Sequence, residues 1–133
     1  MTIPQLVTVA NPAPGGQVTI INPAQGYAYR LRSIMLTLTS SATVANRFPQ
    51  IFIDDNNGHD ITNVLNGTAL QASDSIVLAA FPNAGYSLNF GDFVSYMPLP
   101  DIPLAPSWRV LIGALNMQPT DQLSGVTYSF TVE

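Results

Sequence analysis

A run of alternating apolar residues at positions 27–39 contains a single break in its phase. Side chains in a β-strand point alternately to two faces, so a half-buried strand places apolar residues at every second position. Here the apolar residues stand at odd positions up to Leu31 and at even positions from Ile34 onwards. A slip of one residue near Arg32 and Ser33 predicts a β-bulge, or a strand that crosses from one sheet to another.

Turn-forming residues divide the rest of the chain into short strand-like segments, with 11 prolines, 9 glycines and no segment of helical periodicity. The closing segment is the clearest, because Val126, Tyr128, Phe130 and Val132 alternate with polar residues, as in an antiparallel strand with one solvated face. Eight or nine strands without helices predict an all-β fold, an antiparallel β-sandwich with the jelly roll as the preferred topology. We expect residues 1–14 to form an extended arm and residues 15–133 to form one domain.

The chain carries unusually few charges. Charged residues make up 9% of the sequence, compared with roughly 25% in typical soluble domains. The only basic residues are four arginines, and the formal net charge is −4. This charge balance disfavours binding to nucleic acid or to an anionic membrane surface, which requires a cationic footprint. A weakly charged surface favours a component of an assembly; a weakly charged soluble monomer is the alternative.

The first residues contain neither a basic segment nor an apolar stretch long enough for a signal peptide. We therefore expect the protein to be made in the cytoplasm without secretion. Cysteine is absent, so disulfides and thiolate metal sites are excluded.

The sequence offers little for catalysis. His59 is the only histidine, and no G-x-S-x-G motif accompanies it. Asp54, Asp55 and Asp60 flank an Asn-Asn-Gly turn, but their spacing does not fit a calcium loop, so a polar hairpin tip is the better interpretation. The sequence therefore predicts no catalytic, cofactor or metal residues and favours a non-enzyme.

Two apolar segments indicate partners. The arm alternates aliphatic residues with proline, and residues 96–106 form a proline-rich loop that must cover either the domain's own core or another chain. Arg47 precedes an apolar strand, where it can anchor a turn through carbonyl groups or reach a carboxylate across a subunit boundary. The predicted interface residues are Ile3, Leu6, Val7, Arg47, Met97, Leu99, Ile102 and Leu104.

Residues 12–55 follow a pattern in which a P-x-G-G turn, a short strand, a P-A-x-G turn and an R-[LW]-R-S strand lead to an N-R-x-P hinge and an apolar strand ending in Asp. The matching residues are Pro14, Gly15, Gly16, Pro23, Gly26, Arg30, Arg32, Thr37, Thr39, Asn46, Arg47, Pro49 and Asp54. In this pattern the segment resembles small structural proteins of tailed bacteriophages. The resemblance implies a virion component, a capsid decoration (cement) protein that forms a trimeric jelly roll on the outer capsid.

We therefore expect a homo-oligomer that binds the major capsid protein and bridges capsomers. The alternative is a glycan- or receptor-binding module of a phage fibre or tail, in which aromatic residues stack on sugars near the Asp-rich turn. Its candidate residues are Tyr86, Tyr96, Trp108 and the segment 54–60. A small enzyme built around His59 is a third and weaker hypothesis.

Overall fold

The computed structural model describes residues 3–22, 27–84, 87–89 and 94–133. These residues form strands and loops and contain no helix. The strands are β1 (Gln5–Thr8), β2 (Val18–Ile21), β3 (Tyr29–Thr39), β4 (Phe48–Asp54), β5 (Asp60–Leu65), β6 (Ser75–Phe81), β7 (Ser87–Asn89), β8 (Val94–Pro98), β9 (Pro103–Leu104), β10 (Arg109–Leu115) and β11 (Gln122–Val132).

The strands build two sheets that pack as a sandwich, which confirms the predicted all-β fold. The larger sheet has the order β1-β11-β3-β6-β8-β7, with the short β9 paired to β3, and the smaller sheet has the order β2-β10-β4-β5. Neighbouring strands are antiparallel except β6 and β8, which are parallel. No helix long and apolar enough to cross a membrane occurs in the described part of the chain.

The predicted phase slip is confirmed as an irregularity between β3 and β11. Ser129 pairs with Ser33, but the next residue, Phe130, pairs with Leu31, so Arg32 is an extra residue in β3. Because one residue is added, Leu31 and the alternate residues Ile34, Leu36 and Leu38 all face the core.

Side chains from the inner faces of both sheets form one core. Its most deeply buried members are Leu38 from β3, Val110 and Ile112 from β10, and Leu123 and Val126 from β11. One strand from the first half of the chain and two from the second half therefore meet in the centre, and the fold depends on contacts between residues far apart in sequence.

Some details differ from the sequence prediction. Eleven strands are described where eight or nine were expected, because β7 and β9 have only three and two residues and show no periodicity. Part of the predicted arm, β1, pairs with β11 as the edge strand of the larger sheet. The jelly-roll topology and the boundary between arm and domain stay predictions.

Candidate functional site

A fully buried ion pair joins Arg47 and Asp121, which precede strands β4 and β11. The guanidinium Nε donates to Asp121 Oδ2 at 2.9 Å, and Nη2 donates to Oδ1 at 3.1 Å. Nη1 and Nη2 also donate to the carbonyl oxygens of Ala45 and Thr43, at 2.7 and 2.8 Å. The Arg47 side chain therefore links the start of β11 in the larger sheet to the loop that leads into β4 in the smaller sheet.

The Asp121 carboxylate satisfies further backbone groups. It accepts hydrogen bonds from the N–H groups of Ser41 and Gln118, each at 2.8 Å. Burial acts to raise the pKa of Asp121, but the hydrogen bonds from Arg47, Ser41 and Gln118 outweigh it and lower the pKa to about 2. The carboxylate is thus held ionised inside the protein.

This pKa predicts acid sensitivity. The folded-state pKa lies below the ordinary value of 3.8, so ionised Asp121 stabilises the fold above about pH 4, and this contribution is lost as the pH falls towards 2. The ionised carboxylate of Asp121 thereby contributes on the order of 2 kcal/mol to the free energy of unfolding at neutral pH. Urea unfolding measured across this range should therefore show a falling midpoint, whereas a midpoint that stays constant down to about pH 2.5 would contradict the assignment.

Of the two roles considered for Arg47, the structure shows the local one. The side chain anchors carbonyl groups and meets a carboxylate of the same chain, and it has no exposed surface. Arg47 is therefore removed from the candidate interface residues. Asp121 was missed as its partner, because 74 residues separate the two and only folding brings them together.

The proline-rich loop covers the chain's own core. Met97, Leu99 and Leu104 are at most 2% exposed and belong to the central apolar cluster, and Ile102 packs against that cluster. Met97, Leu99 and Leu104 are corrected to core residues, because they cannot reach a partner while the domain stays folded. Ile102 is partly buried, and its role as a contact stays a prediction.

The three predicted contact residues of the arm differ in their exposure. Val7 faces inwards and packs against the core, whereas Ile3 and Leu6 are 76% and 73% exposed. Only these two of the eight predicted residues are freely available on the surface. Their role as contacts stays a prediction.

The hairpin tip between β4 and β5 is an ordered turn. His59 Nδ1 lies 2.7 Å from Asp55 Oδ2, and Asp55 Oδ1 accepts hydrogen bonds from the N–H groups of Asn57 and His59. The imidazole is 73% exposed, and the hydrogen bonds of the described residues connect it to no serine. Nor do the described residues group three metal-ligating side chains that could hold an ion. The tip has the form of a turn stabilised by its own carboxylates.

A second ion pair lies on the outer face of the smaller sheet. Arg109 Nε and Nη2 donate to the two carboxylate oxygens of Asp54, at 2.7 and 2.9 Å, across the register of β10 and β4. The hydrogen bond from Arg109 lowers the pKa of Asp54, against an opposing effect of burial. The two charges neutralise each other within the face.

The same outer face is otherwise rich in aliphatic and aromatic side chains. Its outward positions follow from the alternation of burial along each strand and from the strand registers. We call this set the aliphatic face; it comprises Ile21, Phe48, Phe52, Ile61, Leu65, Leu111 and Leu115. Four of these residues, Ile21, Ile61, Leu65 and Leu115, are large exposed hydrophobics.

The larger sheet carries a smaller apolar patch on its outer face. Met35 lies beside Ala79, which in turn lies beside Tyr96, and the ring of Tyr96 contacts Phe81 edge to face at 6.2 Å. Of the residues considered for glycan stacking, Trp108 instead packs against the core and Tyr86 lies outside the described residues. The structure therefore does not bring Tyr96 and Trp108 together.

Comparison of the chain with models of protein families, with curated proteins and with solved structures finds no match. We therefore infer a function from the geometry of the chain itself. In that geometry, several residues of the phage-like pattern make structural contacts. Arg47 pairs with Asp121, and Asp54 pairs with Arg109, as described above. The N–H of Gly15 donates to the carbonyl oxygen of Asp121 at 2.7 Å.

Proposed function

We propose that this protein is a structural component of a bacteriophage virion, a capsid decoration protein that forms a homo-oligomer and stabilises the outer shell by bridging capsomers. The aliphatic face is the observation that carries the proposal. Seven apolar side chains occupy outward positions of four neighbouring strands, and four of them are well exposed; the side-chain pairs Gln50–Asn63 and Arg109–Asp54 lie among them on the same face. A sheet face that leaves this much apolar surface exposed is typical of one that another protein covers. The low charge of the chain supports the same conclusion.

The size of the aliphatic face indicates how much it contributes. The four strands of the smaller sheet have four, seven, seven and six residues, and at about 3.4 Å per residue and 4.8 Å per strand the whole outer face has a projected area of roughly 400 Å², which is an upper limit for its apolar part. A standard interface buries about 800 Å² per partner, so the face supplies at most around half of one. Exposed Ile3 and Leu6 on the arm are our candidates for part of the remainder.

The strand order supports a jelly roll as the finer topology. Leaving aside β7, β8 and β9, the sheets have the orders β1-β11-β3-β6 and β2-β10-β4-β5. The chain passes repeatedly from one sheet to the other, as expected for two packed Greek keys. The trimeric state that we propose comes from the phage resemblance alone.

Charges placed on the aliphatic face should dissociate the oligomer. We expect Leu115→Glu or Ile21→Glu to raise its dissociation constant at least about tenfold, because a buried carboxylate without a partner is costly. Sedimentation velocity over a range of protein concentrations measures the change. Thr39→Glu, an exposed polar position on the larger sheet, is the control and should leave the oligomer intact.

Binding to the shell is tested separately. Shells of the encoding phage, assembled without this protein, are mixed with it and pelleted. Co-sedimentation at saturable stoichiometry is the expected result. A wild-type chain that is monomeric at about 100 µM and never pellets with shells would overturn the proposed function.

A further inference from the structure

The two ends of the sandwich differ sharply in charge. One end is formed by the loops 9–17, 40–47, 66–74 and 116–121, which we call the low-charge end; the strand registers place these loops together. Its ionisable residues are Arg47, Asp74 and Asp121, and two of these are buried and paired with each other. Most other charged residues of the described chain lie towards the opposite end: Arg30, Arg32, Asp54, Asp55, Asp60, Asp101, Arg109 and Glu133. Asp92 lies outside the described residues.

The loops of the low-charge end are tied to one another. Asn116 Nδ2 donates to the carbonyl oxygen of Asn46 at 3.1 Å, and the N–H of Ser73 donates to the carbonyl oxygen of Ser41 at 2.8 Å. Asp121 adds the link to Gly15 described above. Hydrogen bonds therefore connect the four loops into one polar network.

Within this network, residues 41–46 project one large apolar side chain, that of Val44, beside the small side chain of Ala42. Val44 is 93% exposed, more than any other large hydrophobic residue of the described chain. The carbonyl groups on either side of it, those of Thr43 and Ala45, are turned inwards onto the Arg47 guanidinium. A buried ion pair adds little net stability compared with apolar packing, so its evident effect here is to fix the conformation of an exposed loop.

We propose that the low-charge end, with Val44 at its tip, is the surface that docks onto the shell protein, and that the docking site on the shell is an uncharged, apolar depression. This inference rests on the proposed function and identifies the surface through which the protein would bind the shell. Pre-ordering of the loop by Arg47 and Asp121 lowers the entropy lost on docking. Nearly all charged side chains that are not buried lie at the opposite end. A charged partner surface would therefore find no opposite charges to pair with at the low-charge end.

The chemistry of these loops favours a protein over a glycan. Sugar recognition commonly uses aromatic rings for stacking, and the loops 9–17, 40–47, 66–74 and 116–121 contain no Phe, Tyr or Trp. They consist mainly of Ala, Pro, Gly, Thr, Ser, Asn and Gln. Small neutral side chains around the exposed side chain of Val44 are suited to close packing against another protein.

The test compares Val44→Asp with Tyr27→Asp in the co-sedimentation assay with shells of the encoding phage that lack this protein. Tyr27 is also well exposed but stands before β3 at the opposite end. We expect Val44→Asp to weaken binding at least about tenfold, or about 1.4 kcal/mol, while Tyr27→Asp binds like the wild type. Wild-type affinity should change little between low and high salt, because few charges take part.

Other outcomes overturn the inference. If the wild type pellets with shells and Val44→Asp loses less than about threefold in affinity, docking occurs elsewhere, although the proposed function stands. The same conclusion follows if affinity falls steeply with salt, or if a soluble glycan displaces the wild type from the shells. If the wild type itself does not bind shells, the inference and the proposed function fail together. Circular dichroism confirms that both variants fold, as expected for exposed positions.

Discussion

Replacement of Asp121 by alanine is expected to destabilise the fold by about 3–5 kcal/mol, enough to unfold a large share of molecules in a marginally stable domain. The substitution leaves the Arg47 guanidinium buried without a counter-charge. It also removes the acceptor of the Ser41 and Gln118 N–H groups, which are drawn inwards by the carboxylate. Urea unfolding at neutral pH, followed by far-UV circular dichroism, measures the change in free energy of unfolding.

Asp101→Ala is the matched control, because Asp101 also pairs with an arginine, Arg30, but in an exposed position. Exposed ion pairs contribute about 0–1 kcal/mol, so this variant should stay close to the wild type. If Asp121→Ala does not fold, the double variant Arg47→Met with Asp121→Leu should recover much of the stability, since an apolar pair can replace a buried ion pair. A loss below about 1 kcal/mol for Asp121→Ala would contradict the assigned role.

Leu104→Ala is expected to cost about 2–5 kcal/mol, the range for truncating a fully buried leucine. Leu104 is 2% exposed, lies in the central apolar cluster and belongs to β9, which pairs with β3. Its carbonyl oxygen also accepts a hydrogen bond of 2.7 Å from the buried Asn22 side chain. Truncation therefore leaves a cavity where the proline-rich loop closes the core.

Leu6→Ala separates a core role from a surface role. Leu6 was predicted beside Leu104 as a contact residue, but it is 73% exposed, so its truncation should change the free energy of unfolding of the monomer by less than about 0.5 kcal/mol. If Leu104→Ala changed the free energy of unfolding as little as Leu6→Ala, the proline-rich loop would not belong to the core.

Much of the fold could be predicted because local patterns determine it. The closing strand β11 contains Val126, Tyr128, Phe130 and Val132, whose alternation with polar residues predicts a strand there. The extra residue at Arg32 could be located from the alternation of apolar residues alone. In each case one face of a strand is buried, so apolar and polar residues alternate along the sequence of that strand.

The candidate sites were less accessible to sequence analysis. The aliphatic face combines side chains from four strands that are scattered between Ile21 and Leu115, so no single segment reveals it. Val44 stands in a polar loop, and nothing near it in sequence indicates that a buried guanidinium holds the loop still. How exposed a side chain is, and how firmly a loop is held, depend on residues that only the folded structure places next to each other.

By itself, the order of side chains determined that this chain is a β-sandwich, where its long strand bulges and how few charges it has for any partner. Only the tertiary structure decided that the proline-rich loop closes the chain's own core, that Arg47 meets Asp121, and which apolar residues remain outside. The physical reason is that alternation along a strand depends on the nearest residues, whereas burial and ion pairing depend on residues that the chain brings together from far apart.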